Sequence, residues 1–431
     1  MSSLSAKAKA AFETLARSPI EPGVKGIPPH VCPIPLGDIG KQGWSILNGD
    51  VTLPALTLKK SAVTRNSATM RDYLSRRDVS LAPHGKTTFS PQLFALQTED
   101  GAWGITISNV QHLAICRRFD FSRMIIANQV VGPADIKSLF AELAASPDLE
   151  VYVLIDSLAG VERLVAGSNG IASRLNVLVE MGVPGGRAGC RTIAEALAVA
   201  EAAKRGGLSV RGVEAFEGIL GNAADVDKFL GLVCDAAVAI AKAGHFVPGK
   251  EIILTAGGSS YYDRVAELLG AHPDLGAPVR VVARSGCYLT HDSGGYQRAF
   301  NALRQRDASM PADAFTPALM VFAFVQTRPD RDKAIVTMGR RDVGTDSSMP
   351  LPLVVYRKGR DAQPVAIGEG FTLSGINDQH GHLTLPADAD LEVGDIIGFG
   401  ISHPCTTFDK WPVFLVVDDE YNVVDAMRTF F

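Results

Sequence analysis

Charge is scarce in this sequence of 431 residues, and its two signs nearly cancel. Charged side chains make up 20% of the residues, and 42 basic against 46 acidic residues leave a formal net charge of −4. A disordered chain combines low hydrophobicity with high net charge, whereas 46% of this chain is hydrophobic. No excess of positive charge is present for binding nucleic acid or an anionic membrane surface. The composition indicates a folded protein with neither of these partners.

Cysteine pairs and long hydrophobic runs are also missing. The six cysteines are scattered without a CxxC motif, which is typical of reduced thiols in an intracellular protein. No stretch approaches the roughly 18 consecutive apolar residues of a transmembrane helix. Residues 1–18 have the periodicity of an amphipathic helix and lack the unbroken apolar core of a signal peptide. We therefore expect a cytoplasmic protein.

Short apolar runs alternate with segments of helical periodicity through the first two thirds of the chain. Eight runs have the length and composition of strands: Val79–Pro83, Trp103–Ile107, Arg123–Ala127, Val151–Ile155, Asn176–Glu180, Val210–Phe216, Glu251–Thr255 and Val279–Ala283. Helical segments such as Pro133–Ala145 and Ala223–Ala243 separate them. Such alternation gives an α/β fold, and eight units predict a closed (β/α)8 TIM-like barrel. An open doubly wound sheet is the alternative, although no GxGxxG motif follows the first strand.

The pattern changes after Met310, where short strands and turns replace the long helical segments. The strand-like runs are Leu319–Gln326, Lys333–Met338, Pro352–Tyr356, Phe371–Ile376, His382–Leu385, Asp395–Phe399 and Phe414–Val417. They predict a second, mostly β C-terminal domain, which the Pro- and Gly-rich N-terminal lead-in is expected to join. The predicted organisation is residues 1–50 as helix and lead-in, residues 51–300 as the barrel, and residues 301–431 as the β-domain.

Barrel enzymes carry their reactive groups on loops that leave the carboxyl ends of the strands. Lys86 lies in such a loop after the first predicted strand, where burial would lower the pKa of an amine and prepare it to form an imine. After the fifth strand, glycines surround Arg187, so the backbone can fold around an anion and direct the guanidinium towards it. The plainer alternatives are an exposed lysine and an ordinary glycine-rich turn.

An anion site is predicted where the seventh and eighth strands end. The residues are Gly257, Gly258 and Ser259 after the seventh strand, and Arg284, Gly286 and Cys287 after the eighth. Backbone amides in a Gly-rich loop at the start of a helix bind phosphate, and barrels often use these two loops for it. A lysine, an arginine and a phosphate cradle at one end of a barrel together suggest pyridoxal 5'-phosphate as the cofactor.

Several motifs resemble those of one enzyme family. The segment Pro83–Thr87 resembles the lysine motif of the fold-type III pyridoxal-phosphate enzymes, the alanine racemase-like barrels. Residues 125–133, 182–189, 256–258 and 403–405 resemble the branch of D-serine dehydratases and D-threonine aldolases. The similarity covers residues 50–431, and the motifs are specific as a set. The resemblance implies a barrel with a β-domain, paired as a homodimer, that acts on a small D-amino acid.

The resemblance also implies roles for individual residues. Lys86 would carry the cofactor as an imine, and Arg187 would lie near its phenolic oxygen. Arg284 matches by position the racemase residue that faces the pyridine nitrogen. The phosphate would be held by Gly257, Gly258, Ser259 and the amides of Gly286 and Cys287. One position departs from the family, because Phe216 stands where tyrosine is more common and a phenyl ring cannot donate a hydrogen bond.

His403 and Cys405 are candidate metal ligands. An imidazole and a thiolate suit zinc better than magnesium or calcium, and two protein ligands leave positions open, as in a catalytic site. Such a pair alone is usually coincidence, but the resemblance implies zinc, because dehydratases of this branch carry His and Cys as ligands and the aldolases carry His and Asp. Asp409 is a candidate partner that orients His403. The remaining titratable candidates, without assigned roles, are His84, His291, Asp292 and His380.

These residues predict β-elimination from a D-3-hydroxy amino acid such as D-serine, which yields a 2-oxo acid and ammonia. Lys86 would remove the α-proton, and zinc on His403 and Cys405 would assist loss of the hydroxyl. The alternative is a metal-assisted aldolase that cleaves the same class of substrate to glycine and an aldehyde. Racemisation would need a second base opposite Lys86, which the sequence does not identify. A non-catalytic pyridoxal-phosphate carrier would lack the β-domain.

Overall fold

The computed structural model describes residues 4–431, and the chain divides into two compact units. The barrel unit contains residues 4–8, Met70–Lys86 and Phe94–Gly286. The β unit contains Lys9–Thr69, Thr87–Leu93 and Cys287–Phe431. Each unit is therefore assembled from segments that are distant in the sequence.

Eight parallel strands form the sheet of the barrel unit. They are β1 (Ser80–Leu81), β2 (Ile105–Ile107), β3 (Arg123–Ile126), β4 (Glu150–Ile155), β5 (Asn176–Met181), β6 (Ser209–Ala215), β7 (Ile252–Ala256) and β8 (Val279–Ala283). Hydrogen-bonded neighbours follow the order β1-β8-β7-β6-β5-β4-β3-β2. A bridge between His84 and Thr106 joins the ends of this series, and the Trp103 N–H donates to the Leu81 carbonyl at 2.7 Å. The predicted α/β barrel is confirmed.

The apolar strand residues explain why this sheet closes around a packed interior. One cluster of buried side chains consists of Ala82, Ile125, Tyr152, Leu154, Leu178, Ile253 and Val282. Six of the eight strands or their ends contribute to this cluster. The interior of the barrel is thus filled by side chains, and polar groups are left to the carboxyl ends of the strands.

Helices follow the strands with the spacing expected from the sequence. In the barrel unit they are Val110–Arg118, Pro133–Ala145, Leu158–Ala166, Ile193–Arg205, Ala223–Lys242 and Tyr262–Gly270. Three others are Ala6–Arg17, Lys60–Ser75 and Pro91–Glu99, and residues 1–3 of the expected N-terminal helix lie outside the described residues. Pro133 occupies the first turn of its helix, where its missing N–H costs nothing. Within residues 4–431, the structure contains no helix with the length and hydropathy needed to span a membrane.

The β unit is built on antiparallel strands. They are Pro19–Ile20, Ile34–Pro35, Ala55–Lys59, Leu319–Asp330, Lys333–Val336, Leu351–Tyr356, Val365–Ala366, Thr372–Ile376, Gly381–Thr384, Ile396–Gly400, Val413–Val417 and Val423–Arg428. Its helices are Gly295–Arg306 and the short Cys405–Phe408. All seven strand-like runs predicted between residues 319 and 417 form strands, so the mostly β second domain is confirmed.

The division into units differs in detail from the organisation expected from the sequence. Residues 51–69, 87–93 and 287–300 were expected in the barrel and belong to the β unit. The reason for the first difference is Ala55–Lys59, which pairs antiparallel with Leu319–Asp330 and parallel with Val413–Val417. A short apolar strand carries no mark of which distant strand it will pair with, so its membership is set by the tertiary structure.

Candidate active site

Lys86 lies directly after β1, in the single 3₁₀ turn Gly85–Thr87. Glycine is needed at position 85, because a Cβ atom built there would lie 2.6 Å from the ring of Phe94. The Lys86 side chain is exposed. The burial that the sequence interpretation expected for this amine is therefore not provided by the barrel unit, and the exposed alternative describes its surroundings better.

The pKa of His84 shows which charged side chains lie near this end of the barrel. Its pKa is lowered well below the ordinary value, first by burial and then by the positive charges of Lys86, Arg284, His112 and Arg187. Its Nδ1 atom is buried and has no hydrogen-bond partner among residues 4–431. The predicted site residues Lys86, Arg187 and Arg284 are thus brought close enough to act on one imidazole, which is kept neutral.

The glycine-rich loop after β5 is folded back on itself. The Gly182 N–H donates to the Cys190 carbonyl at 2.9 Å, and a Cβ atom on Gly182 would lie 1.9 Å from the Ala188 carbonyl oxygen. Arg191, not Arg187, ties the loop together by donating to carbonyl oxygens of Ala188, Gly189 and Gly186. Arg187 is exposed, and its guanidinium lies 5.2 Å from the ring centre of Phe216. The close backbone approach anticipated for this loop is present, and it leaves Arg187 projecting from it.

The loops after β7 and β8 are joined to each other. The Ser285 hydroxyl donates to the Gly258 carbonyl across the two loops. Gly258 has a φ of +53°, which an L-residue rarely adopts. A Cβ atom on Gly257 would lie 2.4 Å from the ring of Phe216, so this ring requires a glycine beneath it. Ser259 is half-buried and Gly286 is buried, and both belong to the same pair of loops.

A carboxylate occupies part of the predicted anion cradle. Glu217 is fully buried, and its Oε1 atom accepts the Gly258 N–H at 2.5 Å. Burial raises the pKa of Glu217, while its own backbone, Arg284 and the amides of Gly258 and Gly257 oppose that rise. The amides of Gly257 and Gly258, which the sequence assigned to phosphate, therefore already face an acidic side chain. Within the barrel unit, Ser259 and Gly286 are the members of the predicted phosphate set that remain for an anion, whereas Cys287 belongs to the β unit.

Arg284 lies at the centre of a buried charge cluster. Its guanidinium pairs with the Glu214 carboxylate and donates to the Thr255 hydroxyl and the Ala215 carbonyl, each at 3.1 Å. Only 3% of Arg284 and 1% of Glu214 is exposed. Burial raises the pKa of Glu214, and Arg284 opposes the rise. Such a pair contributes little net stability, but removing one partner leaves the other charge buried.

Another carboxyl group, Glu180 at the end of β5, has an unusual pKa. Burial and then the nearby Glu214 raise the pKa of Glu180 to about 7. The amide of Gln129 donates to its Oε2 atom and opposes this rise. A carboxyl that titrates near neutrality can exchange a proton at working pH.

In the β unit, a second cluster contains both predicted metal ligands. His403 Nδ1 lies 2.6 Å from an oxygen of Asp346, whose other oxygen accepts the Thr406 hydroxyl at 2.6 Å. The hydrogen bond with Cys405 raises the pKa of His403 to about 9, with Asp346 adding to the effect. The imidazole is thus held by the Asp346 carboxylate, and the nearby Cys405 sulfur also favours its protonated form.

Cys405 contacts a second cysteine in the same unit. Its Sγ atom lies 3.7 Å from Cys287 Sγ and 3.4 Å from the Thr87 hydroxyl, which in turn lies 3.6 Å from Cys287 Sγ. Hydrogen bonding from Cys287, and then from His403, lowers the pKa of Cys405 well below its ordinary value, whereas the pKa of Cys287 is raised. The two sulfurs and the Thr87 hydroxyl therefore form one hydrogen-bonded group, in which either sulfur can be the donor to the other.

The remaining titratable candidates make contacts that are typical of residues with a structural role. His291 lies edge-on to Phe300 and Phe315, and burial lowers its pKa to about 4. Asp292 accepts the N–H groups of Gly294 and Tyr296 at the start of a helix. The exposed His380 lies between two strands of the β unit. His380 and His291 are therefore not drawn into either cluster.

Comparisons with known proteins agree on one family. The protein-family model described as "Putative serine dehydratase domain" matches residues 318–417 of this chain. The D-threonine aldolase of Arthrobacter sp is 25% identical over 375 residues, which is 86% of this chain and 90% of that one. The crystal structure of D-threonine aldolase from Filomicrobium marinum superposes with a TM-score of 0.71, covering 90% of this chain and 96% of the other at 22% identity.

A dehydratase has the same fold. D-threo-3-hydroxyaspartate dehydratase from Delftia sp. HT23 superposes with a TM-score of 0.69 over 88% of this chain and 97% of its own, at 22% identity. Structures of a histidine-to-alanine and a cysteine-to-alanine variant of D-threo-3-hydroxyaspartate dehydratase, whose mutated positions lie two residues apart, are similar too, and the cysteine variant is described as metal-free.

These comparisons confirm the resemblance of this chain to the fold-type III pyridoxal-phosphate enzymes. The similar proteins include a serine dehydratase domain and a D-threonine aldolase, which is the branch that the sequence motifs predicted. This chain is accordingly a pyridoxal-phosphate-dependent lyase.

The barrel cluster fits a pyridoxal-phosphate cofactor. Polar atoms of Glu214, Glu217 and Arg284 are buried there without hydrogen-bond partners among residues 4–431, and a bound polar ring would reach such atoms. Lys86 supplies the amine, and the half-buried Ser259 lies before a helix N-terminus that suits phosphate.

The described residues provide an incomplete set of ligands for a metal ion, so a metal bound here would keep coordination positions open. No group of three or more His, Cys, Asp or Glu side chains in the described part of the chain is arranged to hold a metal. His403 and Cys405 supply two donors, and Asp346 orients the imidazole in the manner common for metal-bound histidine. The predicted orienting residue, Asp409, instead lies 3.4 Å from Lys410. Asp346 takes that place from 57 residues upstream of His403.

The sequence interpretation missed four acidic residues of these clusters. Glu180, Glu214 and Glu217 lie on or directly after buried strands, at the end where barrels place reactive groups, and this position was a usable signal. Asp346 gave no such signal, because it lies in a loop of the β unit with no motif around it.

Proposed function

We propose that this enzyme eliminates the β-hydroxyl of a D-3-hydroxy amino acid, such as D-serine, to give a 2-oxo acid and ammonia. The observation that carries the proposal is the pairing of His403 with Asp346, two residues before Cys405. It supplies an imidazole and a thiolate with the same two-residue spacing as the histidine and cysteine changed in the D-threo-3-hydroxyaspartate dehydratase variants.

We assign cofactor binding to the barrel cluster. Pyridoxal phosphate, when bound, supplies the electron sink that stabilises negative charge on the substrate Cα atom. Lys86 would hold its aldehyde carbon, and Ser259 and Gly286 would hold its phosphate. Arg284 would face the pyridine nitrogen with its charge already balanced by Glu214, and Arg187 would lie near the phenolic oxygen. Phe216 would contact the ring through its phenyl face only, since it has no hydroxyl.

Lys86 is the base in this proposal. Its amine would accept the α-proton of the substrate, and its exposed position at the end of β1 gives a substrate access to it. His84 remains neutral beside it, because burial and the neighbouring cations hold the pKa of His84 well below its ordinary value.

A metal held by the β unit would assist departure of the hydroxyl. His403 and Cys405 would hold zinc, which their nitrogen and sulfur donors favour over magnesium or calcium, and the open positions would accept solvent or the substrate hydroxyl. Zinc supplies Lewis-acid polarisation of the leaving oxygen. Asp346 keeps the imidazole oriented for this ligation.

Aldol cleavage is the second candidate. The D-threonine aldolase and 3-hydroxy-D-aspartate aldolase relatives favour it, since both are 25% identical to this chain over long segments. The same residues would then serve cleavage of the Cα–Cβ bond to glycine and an aldehyde. Cys405 favours elimination, because the dehydratase variants concern a cysteine at this spacing.

Product analysis separates the two reactions. We would incubate the enzyme with D-serine, D-threonine and D-3-hydroxyaspartate, with and without zinc, and measure 2-oxo acid, ammonia, glycine and aldehyde. Elimination predicts 2-oxo acid and ammonia in equal amounts. Glycine and aldehyde in place of these products would establish the aldolase instead.

The metal assignment has its own test. Cys405→Ala is expected to lose turnover and bound zinc while keeping the visible absorbance of the lysine-bound cofactor. Cys234→Ala, in the barrel unit, is the matched control and keeps both. Full activity of Cys405→Ala without metal would refute the zinc assignment.

We further propose a cytoplasmic homodimer. All six cysteines are free, as expected for a reducing compartment, and the dimer follows from the family resemblance. Light scattering of the purified enzyme would contradict the dimer by giving the monomer mass.

A further inference from the structure

Two cysteine sulfurs of the β unit are in contact, although the proposed function gives a role to the side chain of only one of them. Cys287 Sγ and Cys405 Sγ are 3.7 Å apart, and the Thr87 hydroxyl contacts both. Both cysteines are free thiols and belong to the same unit. The cofactor role predicted for Cys287 concerns its backbone amide, so the side chain is without an assignment.

We propose that Cys287 and Cys405 form a reversible disulfide when the enzyme meets a peroxide or a small-molecule disulfide. The sulfurs must approach to about 2.05 Å in a disulfide. Rotation of the Cys405 side chain can provide this approach, because Cys405 is only half-buried and lies at the first position of a short helix. Only 3% of Cys287 is exposed, so its sulfur cannot meet a bulky oxidant directly.

This difference in exposure fixes the order of the chemistry. With hydrogen peroxide, the Cys405 sulfur attacks one oxygen, the O–O bond breaks, and a sulfenic acid and one water form. The Cys287 sulfur then attacks the Cys405 sulfur, its proton leaves with the displaced hydroxide as a second water, and the S–S bond forms. Two thiols are oxidised by two electrons, and one peroxide is reduced to two waters. A thiol such as glutathione reverses the reaction by exchange.

The consequence for catalysis rests on the proposed function. A sulfur in a disulfide has no thiolate to offer a metal, so oxidation would remove Cys405 from the pair that holds zinc. Bound zinc would in turn protect Cys405, because the metal occupies the electron pair that attacks the oxidant. The disulfide is therefore a redox switch that competes with metal binding.

Thiol counting tests the disulfide without reference to activity. The metal-free enzyme is treated with hydrogen peroxide, denatured, and assayed for free thiols, and its peptides are examined by mass spectrometry. We expect two fewer thiols than in the untreated protein, a peptide pair linking residues 287 and 405, and full recovery on adding dithiothreitol. Zinc added before the peroxide should prevent the loss.

Two variants make the outcome decisive. Cys287→Ser should yield no linked peptide and an oxygen-bearing Cys405, whereas Cys32→Ser, a half-buried cysteine of the same unit, should still give the link. Oxidation of Cys405 without a link in the unmodified enzyme, or a link through another cysteine, would overturn the proposal. Failure of the zinc assignment is seen separately, as a link that forms equally with and without zinc.

Discussion

The two polar clusters of this molecule are held in opposite ways. In the barrel unit, Arg284, Glu214 and Glu217 are almost fully buried, and the hydrogen bonds that they make go to backbone groups as well as to side chains. In the β unit, His403 and Cys405 are half-buried and bonded mainly to other side chains. Buried charges with backbone partners cannot move without unfolding their surroundings, whereas the second set can exchange partners.

This contrast matches the work that each cluster is proposed to do. A fixed cluster suits the holding of one cofactor in one orientation. A set of side chains that exchanges a proton, a metal or an oxidant needs freedom to rearrange. We expect substitutions in the barrel cluster to affect stability or cofactor binding, and those in the β unit to affect metal binding without unfolding the protein.

The largest expected effect concerns Lys86. Lys86→Ala should lower kcat by at least about a hundredfold, because it removes the amine that we propose both as the base and as the attachment point of the cofactor. It should also abolish the visible absorbance of the lysine-bound cofactor. Its position is exposed, so the free energy of unfolding should barely change. Lys250→Ala, another exposed lysine, is the control, and equal activity of the two variants would refute the assignment.

Arg284 tests the rigidity of the barrel cluster. Arg284→Met should lower the free energy of unfolding by about 3–5 kcal/mol, because Glu214 would stay buried without its cation. Urea unfolding measures the loss. The double variant with Glu214→Gln should recover part of it, since no unpaired charge then remains. A loss below about 1 kcal/mol in the single variant would show that the cluster rearranges and that the contrast with the β unit is wrong.

Asp346 tests the other side of the comparison. Asp346→Asn should weaken zinc binding by about 10- to 100-fold, because it loosens the orientation of His403, and should leave the unfolding free energy nearly unchanged. Competition with a chromophoric chelator measures the affinity. Asp409→Asn is the control, since that carboxyl contacts Lys410 and not the imidazole. A larger loss in Asp409→Asn would restore the orientation first expected from the sequence.

The same contrast separates what the sequence could predict from what it could not. The eight barrel strands and seven strands of the β unit follow from local patterns of apolar residues, which each segment carries in itself. Ala55–Lys59 also looks like a strand, but its partner Leu319–Asp330 lies far along the chain, so its unit could not be assigned.

Site residues divide in the same manner. Lys86 and Arg284 lie at predictable strand ends, and Glu217 lies directly after a buried strand, where its carboxyl could have been weighed. Asp346 reaches His403 only through the fold, and the contact of Cys287 with Cys405 joins residues 118 positions apart. Neither contact leaves a spacing that a sequence motif could reveal.

The smallest expected effect is a change with pH at Glu180, which tests whether the fixed cluster also holds a proton. The pKa of Glu180 is raised from 4.5 to about 7 in the folded protein, so folding favours the neutral form of this carboxyl over the charged form. Stability from this group is complete below about pH 4.5 and is lost as pH rises through about 7. The glutamine in Glu180→Gln cannot ionise and does not lose stability in this way. The free energy of unfolding of the variant, minus that of the unmodified enzyme, should therefore increase by about 2 kcal/mol between about pH 5 and pH 8.

Urea unfolding of both proteins across this pH range measures the difference, with the exposed Glu201→Gln as the control. A difference that does not change with pH would mean that Glu180 is already charged and that the cluster adjusts around it.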